Sequence, residues 1–162
     1  MKIEESNIVE TSDYRVIIYP ASRPFTAKES KTIAERLYDF LGDWAAHGKE
    51  LSSSFKIEKN QFIIICVDEE KEMASGCSID ALGKVMRELD AEFELGLFDR
   101  MKASFVENGE VKTLKLIDFK NKIRSGELSK DIEVFDFSKN TYLDFLSHFL
   151  QPFSRSWAST IS

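Results

Sequence analysis

The chain has 162 residues, room for about one domain. Its 22 basic and 28 acidic residues leave a net charge of −6, which argues against a uniformly basic binder of nucleic acid or of anionic membranes. Two cysteines exclude a disulfide scaffold, and 13 phenylalanines, which have no polar handle, demand a large core or a buried interface.

The opening MKIEESNIVETSD is acidic and polar, without the basic start and apolar run of a signal peptide. Residues 1–13 therefore read as a flexible tail. The protein is expected in the cytoplasm, with both thiols reduced. Residues 14–162 read as a single domain, with a core over 14–108 and an extension over 109–162.

RVIIYP (Arg15 to Pro20) is a β-branched run that Pro20 ends, and it predicts a first strand. Thr26 with Glu29 makes a capping box for a helix whose apolar face is Ile33, Leu37, Phe40, Leu41 and Trp44. His47-Gly48 suits the end of that helix. SSSFKIEK (Ser52 to Lys59) alternates, as a strand with one wet face does. After Lys59-Asn60, QFIIICVD is apolar on both faces, and the two form a hairpin. Its apolar run is too short to span a membrane. A second helix starts near Cys77-Ser78 and runs to about Phe93 on Ile79, Leu82, Val85, Met86 and Leu89. A fourth strand lies around Lys102 to Glu107. Asn108-Gly109 then predicts a tight hairpin into a fifth, Val111 to Ile117.

Strand, helix, strand, strand, helix, strand is the ferredoxin-like βαββαβ order, an α+β class with sheet order 4-1-3-2. FIIIC, apolar on both faces, needs a cover opposite the helices. IEVFDF (Ile132 to Phe137) reads as a strand, and Tyr142, Phe145, Leu146, Phe149 and Leu150 as a helical stripe that Pro152 ends. This extension is expected to close the second face; failing that, a second copy would do so in a homodimer.

No G-x-x-x-x-G-K-[ST], G-x-G-x-x-G, G-x-S-x-G, H-E-x-x-H or C-x-x-C occurs, so no cofactor and no metal are expected. SGCSID (Ser75 to Asp80) leads straight into the second helix. Free N–H groups and the helix dipole there favour a Cys77 thiolate or a bound anion. In a βαββαβ unit the first helix ends where the second begins, which brings His47 towards Cys77. Cys77 as nucleophile and His47 as base is the minimal thiol-enzyme arrangement. The other reading is a binding or regulatory module for a small anion or a protein, with Trp44, Ser75, Gly76, Ser78 and Asp80 as ligand contacts. Cys66, inside the apolar strand, reads as core. A second cluster, Arg23 with Asp99 and Arg100, falls at the opposite edge, where an ion pair between two loops is expected. The basic run from 111 to 130 reads as a solvated face, and the third strand lacks the stacking aromatics of RNA-binding sheets.

Y-x-x-x-R-P (Tyr19 to Pro24), W-x-x-H-G (Trp44 to Gly48), F-I-I-I-x-V-D (Phe62 to Asp68), SGCSID and L-F-D-R (Leu97 to Arg100) together resemble a family of small Bacteroidota proteins that often carry the label "ABC transporter ATPase". That label implies a P-loop, which this chain lacks, so ATPase activity is not expected. The resemblance implies that these segments form one set; it assigns no chemistry to them.

Overall fold

The computed structural model describes residues 13–162; the N-terminal segment read as a tail otherwise lies outside the described residues. Its class is α+β, as expected. The central strand is β5 (Phe62–Val67). It pairs antiparallel with β1 (Arg15–Pro20) on one side and β4 (Ser53–Glu58) on the other. All six residues of β5 are buried, because both faces of this sheet are covered.

On one face lie α1 (Ala27–Asp43) and α2 (Gly76–Phe93). Ile33, Leu37 and Leu41 of α1 and Leu82, Met86 and Leu89 of α2 pack over Ile63, Ile65 and Val67. The Thr26–Glu29 capping box forms as the spacing predicts. On the other face, Val16, Phe62, Ile64 and Cys66 pack against Phe135, Tyr142, Phe145 and Phe149 of the C-terminal extension. The extension thus supplies the cover, and the reason for invoking a second copy falls away. β4 shows the effect: its Lys56, expected on a wet face, lies 5.2 Å over the Phe145 ring.

The fourth strand departs from the expected topology. β6 (Lys102–Glu107) does not pair with β1. It lies in a second antiparallel sheet of order β7-β6-β8-β9, with β7 (Glu110–Lys115), β8 (Glu133–Phe135) and β9 (Leu150–Pro152). The edge it would have used is taken at its start: the Val16 N–H donates to the Asn140 carbonyl at 2.8 Å, and the Tyr142 N–H to the Tyr14 carbonyl at 2.8 Å. The second sheet therefore draws strands from both sides of position 108. The Asn108-Gly109 turn forms as predicted, with φ of 52° and 78°.

Two further elements differ. α3 (Leu116–Ser125) follows directly on β7, where the strand was expected to run to Ile117. Phe119 and Ile123 bury its inner face against Phe105, Val134 and Phe153. α4 (Tyr142–His148) stops short of Pro152. Its last residues turn into β9, an edge strand where a proline costs no ladder bond.

Candidate functional site

The thiol region is mostly self-satisfied. Ser75 caps α2, and Ser75 and Ser78 bond each other reciprocally: the Ser78 N–H reaches Ser75 Oγ at 3.1 Å and the Ser75 N–H reaches Ser78 Oγ at 2.7 Å. Trp44 is buried, and its Nε1–H donates to the Ser78 carbonyl at 2.8 Å. These three side chains hold the helix start together. Gly76 and Cys77 are exposed there.

His47 does not cap α1. That helix ends at Asp43, and His47-Gly48 forms the tip of a small hairpin, β2 (Ala45–Ala46) with β3 (Lys49–Glu50). Its φ values of 52° and 76° are those of a two-residue type I′ turn. Among the described residues, no hydrogen bond joins His47 to Cys77. Iodoacetamide is expected to label Cys77 alone in the native protein and Cys66 only after unfolding, since Cys66 is buried. The Cys77 rate should be equal in His47→Ala, read by mass spectrometry at intervals. A rate that falls in that variant would restore the thiol–imidazole pair.

The second cluster separates. Arg23 does not pair with Asp99. Its guanidinium forks onto Glu29, with both N–O distances 2.8 Å, and donates to the Phe93 carbonyl at 2.6 Å. The fork, together with the Thr26 N–H, holds the Glu29 carboxyl down at about 2. Arg23 therefore ties the loop after β1 to the start of α1 and the end of α2. Asp99 instead accepts the Met101 N–H at 2.9 Å.

Asp99 and Arg100 nevertheless meet Asp80. All three line a cavity of about 390 Å³ beside the outer edge of β1. Ile17, Ile18, Tyr19 and Pro20 form its strand wall. Ile79, Asp80, Gly83 and Arg87 of α2 overhang it, and Leu97, Phe98 and Phe137 close it. The space is the one a fourth ferredoxin-like strand would have filled. Phe98 stands edge-on to Tyr19 at 5.9 Å between centroids, and the Arg87 guanidinium lies 5.1 Å over the Phe98 ring. Burial pushes the Tyr19 phenol up, against the pull of Arg87. Among the described residues, neither Arg87 nor Arg100 has a carboxylate within ion-pair distance. A larger hollow of about 590 Å³ follows the first half of β1, but its walls include Asp13, Arg15, Glu69 and Lys139 and it is more polar.

Tyr19, Gly83 and Arg87 were not among the expected contacts. Asp80, Gly83 and Arg87 stand at i, i+3 and i+7, one helical face beside the apolar stripe, and that spacing was the available signal. In the basic segment, Lys112 pairs with Glu107 at 2.8 Å and Lys122 with Glu127 at 2.9 Å.

None of the family models, curated proteins or solved structures with which the chain was compared matches it. Among the described residues, no helix is long and apolar enough to cross a membrane, and no cluster of three or more His, Cys, Asp or Glu side chains could hold a metal ion.

Proposed function

We propose that the protein is a small-ligand-binding module whose site is the cavity between β1, α2 and the Leu97–Arg100 segment. One observation carries this reading. Three segments that stood out in the sequence, at Tyr19, at Ile79-Asp80 and at Leu97 to Arg100, converge on one hollow. Its volume lies in the range of small-molecule sites, and its walls are apolar with a few charged groups, the usual make-up of such a site. A cytoplasmic setting, in which both thiols stay reduced, is part of this proposal. The thiol-enzyme reading rests on the exposure of Cys77 at the start of α2, and the alkylation comparison above decides it.

Gly83 provides the test. A glycine inside a helix costs roughly 0.5–1 kcal/mol against alanine, and a Cβ here would meet only the Arg87 Nη1 end, at 3.4 Å. Gly83→Ala should therefore raise stability by about that amount in a urea titration. Gly83→Phe should place a ring in the hollow. 8-Anilinonaphthalene-1-sulfonate, an apolar body with one anionic group, is expected to fluoresce with the native protein and to lose most of that signal with folded Gly83→Phe. Equal signals from the two would remove the cavity as the site.

A further inference from the structure

β1 has one unfinished stretch of edge. In an antiparallel strand, alternate residues turn both backbone polar groups the same way. The Val16 N–H points away from β5 to Asn140, and the Pro20 carbonyl points away from β5 to Lys102 Nζ at 2.5 Å. Ile18, midway between them, must present its N–H and C=O to the same side. Among the described residues, no hydrogen-bond partner reaches that pair. It faces the cavity, because Ile18 is part of the wall. A partly buried donor and acceptor left side by side on a strand edge are what an added strand pairs with.

The same slot is closed at both ends. Asn140 occupies the edge at Val16 and Lys102 at Pro20. Only about three residues of extended chain, at ~3.3 Å each, fit between them.

The same wall carries charges of both signs. α2 follows β5, which is antiparallel to β1, so it returns in the direction of β1; Arg23, just past the end of β1, bonds the carbonyl of Phe93 at the end of α2. Asp80 thus lies towards Ile17, and Arg87 towards Tyr19 and Pro20. Six residues lie between the two, their Cα atoms about 10 Å apart along the axis, and the Arg87 guanidinium leans back towards Asp80, its Nη1 3.4 Å from where a Gly83 Cβ would lie. Both charges thus stand within the length of an extended tripeptide, about 10 Å at ~3.3 Å per residue. Asp99 and Arg100 add one charge of each sign on the facing loop, so the lining as a whole is neutral, as suits a zwitterion.

We infer that the slot binds a free, extended tripeptide with an apolar middle, lying parallel to β1, its backbone paired with Ile18, its ammonium at Asp80 and its carboxylate at Arg87. This rests on the cavity being the binding site and names its ligand class. The sheet is completed by the ligand in the place its own fourth strand left open.

The experiment is displacement of 8-anilinonaphthalene-1-sulfonate, with calorimetry, by alanyl-valyl-alanine and by its N-acetyl and C-amide forms. The free peptide should bind, and each cap should weaken binding at least tenfold. Arg87→Gln should weaken the free peptide about as much as amidation does and leave the amide unchanged. Asp80→Asn should do the same for the free amine and leave the acetylated form unchanged. Equal binding of free and doubly capped peptides would overturn the proposal in favour of a strand internal to a protein partner. If the dye binds in a Gly83-dependent way and no tripeptide displaces it at millimolar concentration, the ligand class is wrong while the site stands. If neither the dye nor any peptide binds, both readings fall.

Discussion

Phe62→Ala is expected to cost about 3–5 kcal/mol, the range for deleting a fully buried aromatic ring. Phe62 has no exposed surface. Its ring centroid lies 4.7 Å from that of Phe135 and 5.5 Å from those of Phe137 and Phe149. Each such pair adds roughly 0.5–1.5 kcal/mol beyond the area it buries. All three partners come from the C-terminal extension, so the substitution also loosens the cover of the first sheet. Guanidinium unfolding should show the loss. Phe98→Ala is the control: that residue is 39% exposed, and removing its ring should cost much less. A loss below about 1 kcal/mol for Phe62→Ala would mean that the extension does not close this face in solution.

The need for that cover was legible in the residues. FIIIC is apolar on both faces, a pattern that belongs to a strand buried on both sides. The phenylalanines then divide. Phe135, Phe145 and Phe149 join Phe62, while Phe153 goes to the second sheet with Phe105 and Phe119. What was not legible was the partner of β6. Strand pairing over long separations depends on which backbone groups are already used, and the bond from Val16 to Asn140 spans most of the chain. α3 was hidden for a different reason. Leu116, Phe119 and Ile123 form a sound helical stripe, but lysines surround it and the run reads as a charged surface.

The site was half legible. SGCSID points to its thiol, yet the Ser75 and Ser78 hydroxyls are taken up by each other's backbone and only Ile79 and Asp80 of the segment reach the cavity. His47-Gly48 fits a helix end and a tight hairpin equally well by composition; the left-handed φ at both residues belongs to the hairpin. Asp99-Arg100 precedes the fourth strand, and a ferredoxin-like order puts it at the opposite edge from Cys77. With β6 in the other sheet, the segment after α2 lies beside β1, and Asp99 and Arg100 meet Asp80 there.

Lys102 is where the departure of β6 is pinned, and it yields the second large effect. Its side chain is buried, and Nζ donates to the carbonyls of Pro20 at 2.5 Å and Gly96 at 2.7 Å and to Ser22 Oγ at 3.1 Å. Among the described residues, no carboxylate lies within ion-pair distance of it. Burial pushes the ammonium down to about 8, against the pull of Asp99 and Asp90. In the unfolded chain the group titrates near its ordinary value of 10.5. Between these two values the unfolded state holds the proton and the native state does not, so stability contributed by this group rises with pH through that window. Below pH 8 the native state carries a buried charge. At about 1.4 kcal/mol per pKa unit, the gain across the window approaches about 3 kcal/mol. In Lys102→Met the three bonds and the buried charge vanish together, terms of opposite sign, so the difference at neutral pH is a poor gauge. The slope is a clean one. Unfolding free energies of the two proteins at pH 7, 8, 9 and 10 should diverge, with the native protein gaining on the variant at each step. Parallel curves would show that Nζ is hydrated and that the contact between β6 and the end of β1 is open in solution. An open contact there would also unfasten the Pro20 end of the slot beside Ile18.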